Sequence, residues 1–385
     1  MKNLTPAELA AVGAVDRDRI AADLAAVVAH PSLTGSEGEV QTEMALRMTT
    51  AGLEVERVDV AAADLASDPD FPGVEVARDS HPVVAGRIAD GLLFGRGACD
   101  MKAGVIAGLA AMRALVESEA ELGGEAILLT VPGEEDGGAG MLAAIRAGYA
   151  GGVAVITEPT DLQIVTAQAG AITFTLTIEG RSAHAAFRRE GVSAVEKLWP
   201  VMRALEANER DRNEAEILRS MRETGLPYPT SIGRVSAGEW SSTVPDRLVA
   251  EGRYGVRIGQ TVAEAEAELR AVVSEACAAD EWLRDHPATV EITGGRFASA
   301  SVANDHPLSW GLAETARDVL GKLPDFLGVP YGADARLLID HGATPTVLYG
   351  PGDPNLAHAP DEHVALEDVA RCARVLAVWL MRALA

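Results

Sequence analysis

Between residues 102 and 157 the chain alternates helix-like and strand-like apolar patterns joined by short links. Lys102–Ser118 repeats apolar residues at helical spacing, AILLTV at 126–131 is a continuous apolar run, Ala139–Tyr149 is helical again, and VAVIT at 153–157 is a second run. A short apolar run without alternation reads as a strand buried on both faces, and the intervening helices are what cover those faces. The pattern predicts an α/β fold, a mostly parallel sheet with helices on both faces. Upstream, Asp16–His30 and Ser36–Ala51 read as capped helices and Glu54–Val60 as a strand.

The rhythm changes near Ala167. AITFTLTIE at 171–179 alternates with period two, a helix follows over Ser193–Asn208, then strands at Ser231–Ala237 and Leu248–Ile258, a helix over Val262–Ala279 and a strand at Thr289–Thr293. That order, β-α-β-β-α-β, is the one of a split, ferredoxin-like unit. The charged stretch NERDRNEAEILRSMRE reads as solvated helix and linker. From His306 the first pattern returns, with helices to Leu320, over Ala335–His341 and from Leu366, and a strand at Thr346–Tyr349. One domain, 1–166 and 296–385, is therefore expected to be interrupted by a second, 167–295.

Ligands of open parallel sheets bind beyond the carboxyl ends of the strands. The predicted strand 126–131 runs into Pro132-Gly133-Glu134-Glu135-Asp136, and 153–157 into Glu158-Pro159. The strand at 346–349 runs into Gly350-Pro351-Gly352 and then His358, and Asp100 follows the apolar run Leu92-Leu93-Phe94 in a similar loop. Taken singly, these have ordinary explanations: Asp100 as a helix N-cap, GEEDGG as an acidic first turn, Glu158-Pro159 as a turn, His358 and His363 as loop histidines. Their recurrence at successive strand ends steers four acids and an imidazole toward one crevice, where carboxylates raise each other's pKa unless a cation joins them. Carboxylate and imidazole donors suit zinc, with cobalt or manganese as substitutes. Glu134 and Glu135 are neighbours whose side chains diverge, so one can hold metal while the other faces a substrate.

Net charge excludes some partners. Against 33 Lys and Arg stand 57 Asp and Glu, a formal charge of −24, which argues against nucleic acid or an anionic membrane surface. Cys99, Cys277 and Cys372 have neither disulfide-framework nor metal-ligand spacing. MKNLTPAELAAVG lacks the apolar core of a signal peptide, and no apolar run approaches the ~18 residues of a membrane span, so a cytoplasmic location is expected. Gly95-x-Gly97 is a poor dinucleotide fingerprint, since Asp100 holds the third glycine position and no ribose-binding acid is evident.

The motifs GRGACDMKAG, VPGEEDGG, ITEPT, GRSAHA and GPGDPNLAHAPDE, in this order, resemble those of the zinc aminoacylase and carboxypeptidase family, which includes acetylornithine deacetylase, succinyl-diaminopimelate desuccinylase and glutamate carboxypeptidase. The resemblance covers nearly the whole chain. It implies hydrolysis of the amide bond of small N-acyl amino acids or related peptides, and a homodimer formed through the inserted lid. It further implies that Asp100 bridges two metal ions, that Glu135 and His358 complete one site and Glu158 belongs to the other, and that Glu134 is the general base. His184 would polarise the scissile carbonyl, often across the dimer, Arg253 would clamp a substrate carboxylate, and Gly350 and Gly352 would line the substrate. A cis peptide after Asp100 is also implied.

The chain departs from the family in two places. Ser242 stands where the lid usually offers an asparagine. More consequentially, the family's Gly-His-x-Asp-Val-Val-Pro segment, whose histidine shares a metal with Glu158, is absent: Pro82-Val83-Val84-Ala85-Gly86-Arg87 passes straight to Ile88-Ala89-Asp90-Gly91. His81 is a poor substitute, lacking the aspartate two residues on. The expectation is an internal deletion that leaves one metal site whole and the other short of a ligand. The result is an impaired hydrolase or, as the alternative, an inactive homologue acting as a binding protein or a defective gene product.

Overall fold

The computed structural model describes residues 3–59, 64–65, 67–73 and 87–385. His81, Val60 and most of the stretch leading to Arg87 lie outside the described residues. The first part supplies helices α1 (Pro6–Ala14), α2 (Arg17–Ala29) and α3 (Gly38–Thr50), then a hairpin of β1 (Arg87–Ala89) and β2 (Leu92–Phe94). After it come α4 (Ala103–Glu117), α5 (Ala139–Arg146), β3 (Ala154–Ile156) and β4 (Ile164–Gln168). Asp16 caps α2 by accepting from the amides of Asp18 and Arg19, which satisfies donors the first turn would leave open.

The middle of the chain forms β5 (Gly170–Glu179), α6 (Ala194–Glu214), a single turn at Arg219–Arg222, β6 (Thr230–Ala237), β7 (Arg247–Val256), α7 (Val262–Ala279) and β8 (Thr289–Phe297). Its sheet runs β6-β7-β5-β8 with every neighbour antiparallel. Ile172, Phe174, Leu176 and Ile178 alternate into an apolar core that Val201 and Leu205 of α6 and Leu269 and Val273 of α7 close. The last part adds β9 (Ala300–Ser301), α8 (Pro307–Leu320), β10 (Phe326–Val329), α9 (Ala335–Asp340), β11 (Thr346–Leu348), β12 (His363–Ala365) and α10 (Leu366–Ala383). Helices α4 and α10 pack on one another in a core with α1, α2 and α8.

This is an α/β fold with mixed sheets and flanking helices, and the expectation of a mostly parallel sheet is corrected. In the sheet β10-β4-β11-β3 only β10–β4 and β11–β3 are parallel; β4 runs antiparallel to both β11 and β9. The reason lies between β3 and β4. A parallel return needs a crossover of about a dozen residues or more, and the loop after Ile156 is too short to make one. The β1-β2-β12 sheet is antiparallel as well.

Two predicted strands, over 54–59 and 126–131, do not form ladders among the described residues. Segment 126–131 nonetheless lies in the layer of β3. Leu129 and Val131 join Ala154 and Ile156 against Met141, Leu142 and Leu337, while Leu128 joins Val155 against the other core. Both segments thus face the same two cores without being ladder partners.

Candidate metal centre

The site begins with a close approach that only glycine permits. A Cβ on Gly104, in the first turn of α4, would lie 1.9 Å from the Thr157 carbonyl oxygen. Its absence lets α4 start against the end of β3, so that Asp100 arrives beside the Glu158 loop. Gly350 does the same from the other side, since its Cβ would sit 2.3 Å from the Glu158 carbonyl oxygen. The turn carrying Asp100 leaves helical geometry at φ −116°, ψ 98°, and the Asp100–Met101 peptide is cis, as the family resemblance implies.

Three of the predicted residues converge. His358 Nε2 lies 3.2 Å from Asp100 Oδ2 and 3.0 Å from Glu135 Oε1. Their potential ligand atoms all fall within 4.8 Å of one another. Hydrogen bonds first to Asp100 and then to Glu135 push the His358 imidazole up to about 10. Two carboxylates and one imidazole at this spacing fit a single divalent cation with a position left open.

The other acids behave differently. Glu158 is buried, and burial first, then the charges of Glu134, Asp100, Asp334 and Glu135, hold its carboxyl well above the ordinary range. Glu134 is raised likewise, by burial first and then by Asp334, Glu135 and Asp100. Neither belongs to the three-residue cluster.

The remaining predicted residues are not members of it. His184 is exposed in the middle unit, where its Nδ1 accepts from the Ala186 amide at 3.1 Å. Arg253 sits on β7 opposite Thr173 and Ser231, and its Nη2 donates to the Pro330 carbonyl at 3.4 Å, so it reaches the loop after β10. Ser242 uses its carbonyl to accept from the Ala185 amide, which anchors the His184 turn. Gly350 and Gly352 are buried, Gly352 at φ +100° with no room for a Cβ beside Cys99 Sγ; their visible work is to pack loops together.

Sequence reading missed two buried acids. Asp334 is 1 % exposed, burial pushes it up to about 6, and neither of its carboxylate oxygens has a hydrogen-bond partner. Its neighbour Arg336 donates to Gly137 O at 3.0 Å and Ala333 O at 2.9 Å, tying the loop after Glu134-Glu135-Asp136 to α9. Glu362 is 3 % exposed and binds the backbone of the Asp100 turn. Nothing in a single sequence separates PDEHV from a solvated loop.

Residues 72–382 match the model described as peptidase family M20/M25/M40. The chain is 28% identical over 328 residues to the N-formyl-4-amino-5-aminomethyl-2-methylpyrimidine deformylase of Bacillus subtilis (strain 168), covering 77% of this chain and 72% of that protein. It is 29% identical over 296 residues to the acetylornithine deacetylase of Myxococcus xanthus, covering 75% and 72%. Among solved structures the aminopeptidase PepT of Bacillus cereus ATCC 10987 superposes with a TM-score of 0.71 at 19% identity over 96% of this chain and 99% of that one, a likeness of fold. Among the described residues no helix is long and apolar enough to cross a membrane.

Proposed function

The chain belongs to peptidase family M20/M25/M40, and from that premise we propose that it is a metal-dependent hydrolase of the amide bond in small N-acyl amino acids or related peptides. The observation that carries this reading is the convergence of Asp100, Glu135 and His358. A divalent ion held there, zinc with cobalt or manganese as substitutes, would supply Lewis acidity toward a carbonyl and an activated water. Glu134 is the general base, beside Glu135 but outside the cluster, and it returns the proton to the departing amine. Arg253 clamps a substrate carboxylate, a role supported by its reach to the Pro330 loop. Gly350 and Gly352 present backbone to the substrate.

We read 1–166 with 296–385 as the catalytic domain and 167–295 as a ferredoxin-like lid, supported by two cores that have no residue in common. The lid exposes Phe187, Trp199, Val235 and Trp240, the last two on or beside β6, which pairs only with β7 among the described residues. That surface supports a homodimer through the lid, and His184 reaches a catalytic site only if a second copy or a closure carries it there. Light scattering at micromolar concentration should give a dimer, and Val235→Lys should shift it to monomer. A parent that scatters as a monomer sinks the dimer.

The second metal site is read as short of its histidine through an internal deletion near Arg87. Support comes from segment 126–131 and β3, which share two cores but are not ladder partners, as though one strand were missing between them. The same gap favours the alternative of a catalytically inactive homologue acting as a binding protein or a defective gene product. Metal content after dialysis, with turnover measured on N-acetyl, N-succinyl and N-formyl amides, separates the two. The formyl substrates enter because of the deformylase relative. The expected result is one firmly held ion and slow turnover. Absence of turnover, with or without an ion, selects the alternative, and a parent that retains no ion removes the metal-dependent reading.

A further inference from the structure

The three cluster residues come from loops far apart in sequence, and two of those loops meet at one buried carboxylate. Glu362 Oε1 accepts from the Cys99 amide at 2.9 Å and from the Asp100 amide at 3.1 Å. Its Oε2 accepts from Arg96 Nη1 at 2.9 Å, and its own carbonyl accepts from the Gly95 amide at 3.0 Å. These bonds engage the segment Gly95–Asp100, which leads into the turn and carries Asp100. At its other end Glu362 belongs to the His358 loop, where its amide donates to Ala359 O at 3.3 Å. The turn Ala98–Lys102 departs from helical geometry at Asp100 and Met101, and without Glu362 two amides in this tightly packed place would have to find other acceptors.

We propose that Glu362 is a positioning residue that sets Asp100 against His358, so that the affinity of the metal centre depends on a carboxylate whose own oxygens are engaged elsewhere. The assignment rests on the metal reading above. Its reach is from Glu362 through two backbone amides to one ligand, and through four residues of chain to another. Arg96 neutralises the buried carboxylate and holds it in its orientation. Ligand supports of this kind typically change metal affinity ~10 to 100-fold when removed.

Cobalt(II) titration of metal-free protein, read by competition with a chelator and by the visible absorption of the saturated complex, tests this. Glu362→Gln keeps the size of the side chain but loses its charge. It should bind cobalt ~10 to 100-fold more weakly, with an altered spectrum at saturation. Glu8→Gln is the control, since it removes another buried carboxylate held by an arginine, at the far α1–α10 contact. It should lose thermal stability and keep the parent's affinity and spectrum. Should Glu362→Gln fail to fold, Arg96→Gln carries the test, and a loss of several-fold or more is expected. Parent-like affinity and spectrum in the folded Glu362→Gln or Arg96→Gln protein overturns the proposal, as does an equal loss in Glu8→Gln. A parent that binds no cobalt is a distinguishable result: it removes the metal reading, and this assignment falls with it.

Discussion

Two groups of acids feel one another's charge, and only one of them contains an imidazole. Asp100 and Glu135 share His358, which lies within hydrogen-bonding reach of both and is raised to about 10 by them. Glu134 and Glu158 are driven well above the ordinary carboxyl range by burial first and then by the charges of surrounding acids, Asp334, Asp100 and Glu135 among them. The first group is balanced by a cationic side chain before any metal arrives. In the second, burial and repulsion favour protonation, and a cation would be needed to hold the ionised forms together. The difference teaches which of the two groups can act as a site by itself.

The largest test of that contrast is metal affinity. Glu135→Ala should weaken binding of the firmly held ion by about 100-fold or more, because a ligand is lost rather than a supporting residue. Glu158→Ala should weaken it by less than about tenfold. Metal analysis after dialysis, with chelator competition, reads both. Two ions in the parent, both disturbed by Glu158→Ala, would mean that the second group is a complete site with a ligand outside the described residues.

A smaller effect appears in stability without metal. Removing a buried acid that burial and like charges oppose should relieve the fold. Glu158→Gln at pH 8 in chelator is expected to be more stable than the parent by about 1–2 kcal/mol. Glu135→Gln alters an exposed carboxylate and should stay within about 0.5 kcal/mol. Denaturant melts of the three proteins decide it. A destabilised Glu158→Gln would show that the buried carboxyl makes contacts the amide cannot replace.

How much of this could be read from sequence depended on whether a residue's role is local. β5 and α7 fall where the alternating and helical patterns put them, because each presents one apolar face to a core it shares. β4 went unread: IVTAQ is buried throughout, yet it carries Thr166 and Gln168, whose side chains find Asn304 and the Ala333 carbonyl. Those partners are invisible to an apolar pattern. Asp100, Glu135 and His358 were legible because each follows an apolar or strand-like run and belongs to a recognisable motif. Glu362 acts through a contact that spans 263 residues of chain, and Asp334 through burial beside acids from another loop, so neither leaves a local mark.

The smallest expected effect concerns pH and isolates the first group. The His358 imidazole is raised from an ordinary 6.5 to about 10 by Asp100 and then Glu135. A base whose folded pKa is raised contributes stability that is fully present below its unfolded value and lost as pH rises through its folded value. In the metal-free protein the window therefore runs from about pH 6.5 to about pH 10. The His358 side chain is 59% exposed, so solvent screens its ion pairs and the contribution should stay under about 1 kcal/mol. The acids of the second group also favour lower pH, because their folded pKa values are raised. Parent and His358→Gln must accordingly be compared as a difference, which cancels what they share. Denaturant melts in chelator across that range should show the parent's advantage shrinking steadily toward pH 10. Parallel profiles would mean that His358 is not held by Asp100 and Glu135 in solution, and the contrast between the two groups of acids would lose its basis.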